Sequence, residues 1–197
     1  MTDVELINRF LDGNINAFNL LVKRWEKPIY NFIYKNVSNT CIAKDICQKT
    51  FIRVYMKLHK LKDVNKFSSW LYKIAINLCR DEQRKNKNKN YISCDQTENE
   101  ENYTPIQLAT DENTAPDKIL DKKQIENLLK EQLQKIPEEQ RVVIIMKQYQ
   151  DLKFREIADI LDEPINTVKS RLYYGLKALK NNFKKAKLTK EVFLNEM

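Results

Sequence analysis

The sequence predicts an all-α fold of two small helical domains, and three observations carry that prediction. Apolar residues recur at helical spacing along most of the 197-residue chain. No stretch alternates for long as a half-buried strand does. Between residues 94 and 121 the periodicity gives way to an acidic, polar run that divides the chain.

The elements follow in order. Thr2-x-x-Glu5 reads as a capping box for a first helix that stops at Gly13. From Asn16 a stripe of Ala17, Leu20, Leu21, Trp25, Ile29, Phe32 and Ile33 predicts a second helix, with Pro28 expected to kink it. A third helix, about residues 41–60, buries Ile46, Cys47, Thr50, Phe51, Val54 and Leu58. After a polar turn at 61–66, a fourth carries Phe67, Trp70, Leu71, Ile74, Ala75 and Leu78 on one face and runs out into Arg80, Arg84, Lys85, Lys87 and Lys89. The acids from Asp95 to Asp121 then face one base, Lys118, a composition too polar to bury a core and expected to act as a solvated tether. The second domain opens with Ile125, Leu128, Leu129, Leu133 and Ile136, and Pro137 starts the next helix, which continues the core through Val142, Val143, Ile145, Met146 and Tyr149.

Composition narrows the function. The net charge of +8 points to a polyanionic partner. Two glycines, Gly13 and Gly175, cannot build a phosphate-cradling loop, and one histidine, His59, leaves no Ser-His or Cys-His pair. Cys41, Cys47, Cys79 and Cys94 fit no metal-binding spacing; free thiols are expected, three of them on apolar helix faces, with no metal and no cofactor. No apolar run is long enough to span a bilayer, and the first residues lack the pattern of a signal peptide, so a soluble, cytoplasmic chain without membrane insertion is expected.

Residues 154–180 carry the clearest functional pattern. Ile157, Ala158 and Leu161 form the inward face of a short helix, small Ala158 permits a close crossing, Pro164 blocks continuation, and Asn166 is the expected N-cap of the next helix. Val168, Leu172, Leu176 and Leu179 make that helix's buried stripe. Thr167, Lys169, Ser170, Arg171, Tyr173 and Tyr174 remain on or beside the open face, the end that meets base edges in a helix-turn-helix. Residues 166–187 hold seven bases and no acid.

Leu133-x-x-Ile136-Pro137, Arg141, Glu156-Ile157-Ala158 and Thr167-Val168-Lys169-Ser170-Arg171-Leu172 resemble region 4 of bacterial RNA polymerase sigma factors, more narrowly the extracytoplasmic-function (ECF) group. Asp45-Ile46-x-Gln48-x-x-Phe51-Ile52-Arg53 resembles region 2.2. Residues 67–84, with Trp70, Asn77, Asp81 and Arg84 in place, resemble regions 2.3 and 2.4. Two family departures stand out: Tyr174 and Leu176 occupy positions where arginine is frequent, which leaves the bases read open.

The resemblance implies a non-enzymatic initiation factor. Residues of about 1–90 would bind the β′ clamp helices of core polymerase through Asp45, Gln48, Phe51 and Arg53. The same domain would hold the −10 element through Lys62, Asp63, Val64, Asn65, Lys66, Asn77, Arg80, Arg84 and Lys85. Periodicity places Phe67 and Trp70 in the core rather than against bases. Residues 118–187 would read the −35 element through the six open-face residues and touch the β flap, with 91–117 as linker and 188–197 as tail. An anti-sigma factor, often membrane-anchored, and a stress response are further implications. A free-standing helix-turn-helix dimer leaves the pattern of residues 67–84 unexplained. A metal-dependent nuclease lacks its carboxylate cluster, and a membrane-surface protein lacks the wide apolar stripe.

Overall fold

A computed structural model describes residues 1–88, 125 and 127–185. The expected linker at 91–117, the tail at 188–197 and Cys94 lie outside the described residues. Among the described residues every regular element is helical, and the chain divides into two compact units, described in turn.

In the first unit, α1 (Asp3–Leu11) is fixed by both arms of its capping box. The Thr2 amide donates to Glu5 Oε2 at 2.8 Å and the Glu5 amide donates to Thr2 Oγ1 at 3.2 Å. Gly13 then turns the chain at φ +96°, a conformation that disfavours any side chain. Asn14 caps α2 (Ile15–Val37) by accepting from the Ala17 amide, and α2 continues through Pro28 to a left-handed Ser38. Its buried face is Ala17, Phe18, Leu21, Ile29, Phe32 and Ile33. Leu20, expected inward, is half exposed: it lies about 100° round the helix from Leu21, and Phe18 takes its place.

Asn39 caps α3 (Thr40–Lys57), which buries every residue assigned to it and passes into a 3-10 turn at Leu58–Lys60. The Thr50 hydroxyl, inside the core, donates to the Ile46 carbonyl at 2.8 Å, so it leaves no unmet polar group there. A second 3-10 turn at Val64–Lys66 lies against α1 and leads straight into α4 (Phe67–Asn88). The buried band of α4 is Phe67, Leu71, Tyr72, Ala75, Ile76, Leu78 and Cys79. Trp70 and Ile74 sit at its margin, half buried, because the band is centred about one residue further round than the apolar count suggests. Phe67 closes the unit: Trp25 meets it edge-on at 6.1 Å and Trp70 leans on it at 6.3 Å. The Trp25 indole N–H is satisfied by Asp3 at 3.0 Å, which ties α2 back to the start of α1.

The three described cysteines are thiols, but Cys41 is exposed rather than on an apolar face. Cys47 is buried, and desolvation, reinforced by Glu26, pushes its thiol up to about 12. It is a packing residue and not a nucleophile.

The second unit contains α5 (residues 127–134), α6 (Glu138–Gln148), α7 (Phe154–Leu161) and α8 (Ile165–Lys185). Leu133, Ile136 and Ile144 form a core cluster on which Leu129, Leu172, Ala178 and Leu179 pack. Arg141, buried among these helices, donates to the Gln134 carbonyl at 3.3 Å and so joins the end of α5 to the start of α6. Burial draws its guanidinium below its ordinary value while Glu138 opposes that shift. Tyr149 does not continue the core; it caps the C-terminus of α6 and is partly exposed.

At α8 the structure differs from the expected pattern in two places. The helix opens at Ile165, with the Val168 amide already donating to the Pro164 carbonyl at 3.1 Å, so Asn166 stands inside the first turn and not at the cap. Gly175 is buried while Leu176 points outward. A Cβ at Gly175 would come within 2.8 Å of Ile144 Cδ1 and 3.1 Å of Gln140 Cβ. The inward series is therefore Val168, Leu172, Gly175 and Leu179, and the glycine is what lets α6 approach.

Candidate nucleic-acid interface

In the first unit the polar residues expected to meet DNA fall along α4 and the turn before it. Asp63 accepts from the Asn65 amide at 3.0 Å and from the Asn65 side-chain amide at 3.1 Å, which shapes the turn and leaves Lys62 and Lys66 exposed on either side. Val64 is half buried and belongs to the turn's underside. Asn77, Arg84 and Lys85 are exposed and Arg80 is half buried; Asn77, Arg80 and Arg84 share one face at helical spacing. Ten residues separate Asn77 from Phe67, about 15 Å of helix, so the turn and Asn77 form a track rather than a single pocket. The ion pairs Arg84–Asp81 and Lys85–Glu82 are both 4.0 Å long and their cations are exposed, which leaves Arg84 and Lys85 available to phosphate.

On α3, Asp45, Gln48 and Arg53 are exposed, but Phe51 is in the core and offers no surface to a partner. Its position one helical turn from Cys47 and Val54 places it inward. The face instead shows three residues that the motif did not single out: Ile52, Tyr55 and Met56, each about half exposed or more. Tyr55 is braced by Phe10 at 5.4 Å and Phe18 at 5.2 Å. The signal for them was present, since apolar residues occupy 51, 52 and 54–56 and no single buried face holds them all. Lys49 pairs with Asp45. A cleft of about 320 Å³ between α3 and α4 joins Arg53 and Lys49 to Arg84 and Lys85, so the two candidate surfaces of this unit meet there.

In the second unit, α7 and α8 are joined by a turn whose Asp162 adopts φ +56°. Lys169 and Ser170 are exposed near the start of α8, and Thr167 is half buried with its carbonyl accepting from the Ser170 hydroxyl at 2.9 Å. Lys169 and Lys147 both lie over the Phe154 ring, at 5.9 and 5.8 Å, which gathers two cations beside the first turn of α7. Tyr173 and Tyr174 are 65% and 57% exposed and touch edge-on at 5.5 Å.

Arg171 departs from its expected role. Its guanidinium bonds Glu139 on α6 at 2.9 Å and Glu163 in the turn at 3.1 Å, with only 17% of the side chain exposed. These two ion pairs tie α8 to α6 and to the turn and draw the guanidinium toward the body of the unit. Sequence spacing gives no warning of this, because Glu139 lies 32 positions away.

The sigma-70 region 2 profile matches residues 21–89, and the sigma-70 region 4 profile matches residues 126–179. An ECF RNA polymerase sigma factor of Bacillus subtilis, SigW, is 32% identical over 178 residues, spanning 90% of this chain and 95% of SigW. The chain belongs to the ECF sigma factors.

The ECF sigma-E factor of Haemophilus influenzae is 28% identical over 92% of the chain and 95% of that protein. Among solved structures, CnrH in complex with the cytosolic domain of CnrY covers 93% of the chain and 97% of its own, with a TM-score of 0.67 at 19% identity. RpoE of Bartonella quintana, in complex with the anti-sigma factor NepR, covers 86% and 98%, with a TM-score of 0.63 at 18% identity. These two likenesses concern the fold. As an ECF sigma factor the chain is a transcription initiation factor that directs RNA polymerase to promoters, and it is not an enzyme. No helix among the described residues is long and apolar enough to cross a membrane.

Proposed function

We infer that this ECF sigma factor reads its promoter in two halves, the −10 element along the 62–66 turn and α4, and the −35 element with α8. The observation that carries the reading is the outward face of α8. It bears bases at 169, 177, 180, 184 and 185 and no acid, on a helix whose opposite side is packed against α6. Such a face suits a major groove, where phosphates supply salt-sensitive affinity and base edges supply choice. On α4, Asn77, Arg80, Arg84 and Lys85 offer a polar and basic track suited to single-stranded DNA.

The α3 face is assigned to the β′ clamp helices of core polymerase. Ile52, Tyr55 and Met56 supply the apolar centre that Phe51 cannot, and Asp45, Gln48 and Arg53 form the polar rim. The second unit is assigned the β flap. Residues of about 1–90 and 118–187 serve as the two binding domains, with 91–117 between them. The site of action is cytoplasmic, and the expected regulator is an anti-sigma factor, as NepR is for the B. quintana RpoE.

Holoenzyme footprinting tests the division of labour. Lys169→Ala and Ser170→Ala should weaken protection of the −35 element several-fold, and Asn77→Ala should impair opening at −10, each leaving the other half intact. If both sets altered the same promoter half, the assignment would be wrong.

A further inference from the structure

The outward face of α8 carries an unusual combination. Tyr173 and Tyr174 present two large rings to solvent, well above what a packed helix leaves bare, and Leu176 beside them is 39% exposed. Around them stand Lys169, Lys177 and Lys180. Arg171 is the only arginine of α8, and both Glu139 and Glu163 hold it against the body of the unit. The side chain that most often recognises guanine through paired hydrogen bonds is thus absent from the face.

We propose that Tyr173 and Tyr174 are specificity-determining residues that select A·T pairs in the −35 element by packing their rings on thymine C5-methyl groups. This rests on α8 being the −35 reader. Thymine alone among the bases projects a methyl into the major groove, and aromatic carbon is a suitable surface for it. The two rings are adjacent in sequence and meet edge-on, so each limits the other's freedom and together they offer one apolar surface. The lysines on either side reach phosphates, and Lys169, steadied over Phe154, stands nearer the start of the helix where guanine or phosphate contacts remain open to it. The apolar choice is confined to the base pairs beneath the two tyrosines.

Replacing thymine by uracil removes the methyl and leaves pairing unchanged, which isolates the proposed contact. Holoenzyme is first allowed to select from a randomised promoter duplex library. The recovered upstream element should contain adjacent A·T pairs. Duplexes carrying uracil there should bind about four-fold more weakly per methyl lost, the worth of one buried methyl group. Tyr173→Ala/Tyr174→Ala should bind thymine and uracil duplexes equally, whereas Tyr173→Phe/Tyr174→Phe should keep the preference, since the ring and not the hydroxyl makes the contact. Far-UV circular dichroism establishes that these surface variants fold.

If the wild-type holoenzyme binds both duplexes equally while Lys169→Ala still weakens −35 protection, the tyrosine assignment is overturned and the −35 reading stands. If neither −35 protection nor sensitivity to Lys169→Ala is found, both fall together. Retention of the thymine preference by holoenzyme carrying the double alanine variant would likewise overturn the proposal.

Discussion

Gly175→Leu is expected to dismantle the second unit while leaving the first folded. At Gly175 the α6 and α8 backbones approach so closely that a Cβ already meets Ile144 Cδ1 at 2.8 Å and Gln140 Cβ at 3.1 Å. A leucine must place three more carbons in that space, an overpacking that costs about 1–3 kcal/mol where it can be relieved and more where two helices must separate. Against a stability of about 5–15 kcal/mol for a typical domain, that is a large fraction. Gly175→Ala behaves differently. Ile144 Cδ1 is the free end of a side chain and can rotate away, but Gln140 Cβ at 3.1 Å is fixed to the α6 backbone, and the gain of about 1 kcal/mol in helix propensity over glycine offsets part of that strain, so the loss should be small beside that of leucine. The first unit provides the internal control, because both tryptophans, Trp25 and Trp70, lie in it. Loss of helical signal with unchanged tryptophan fluorescence is the expected result for leucine. Full helical content in Gly175→Leu would mean that α6 and α8 are not in close contact.

The second large effect is expected at Phe67. Its ring is 1% exposed and held between Trp25 and Trp70 at the entrance to α4. Truncation to alanine removes a fully buried aromatic and leaves a cavity, a change worth about 3–5 kcal/mol. Trp70→Ala, at a half-buried site, should cost far less. Denaturant unfolding followed by helical signal should show a lower midpoint for Phe67→Ala, with Phe67→Leu in between. A Phe67 that stacked on single-stranded bases would be exposed in the free protein, and its loss would spare stability. An unchanged midpoint would therefore return Phe67 to the DNA surface.

Much of this architecture was legible in the sequence, and the failures have a common form. The capping box at Thr2 and Glu5, the turn at Gly13 and the α3 core all follow from local chemistry, so they were readable. Leu20, Ile74, Tyr149 and Leu176 read as inward because apolar residues three or four apart fit more than one phase of a helix. Packing then chose the phase: Phe18 over Leu20, Ile76 over Ile74, Gly175 over Leu176. Gly175 was the least visible, since a buried glycine contributes no hydrophobicity to a periodic count. The start of α8 slipped by one residue because Ile165 follows Pro164 directly and needs no side-chain cap to begin the helix.

Site residues divided along the same line. Lys169, Ser170, Tyr173 and Tyr174 remain on the open face because the helix phase there was right. Arg171 is turned toward the body of the unit by partners from α6 and from the turn, and long-range ion pairs leave no mark on spacing. Phe51 shows the reverse error, a residue credited to an interface by its motif although its helix turns it inward, while Ile52, Tyr55 and Met56 occupy the surface.

The most direct test of the account is run-off transcription with purified core RNA polymerase and a promoter library, with and without this chain. Start sites that depend on the chain are expected, together with its stable binding to core enzyme. No chain-dependent start site and no binding to core polymerase would contradict it.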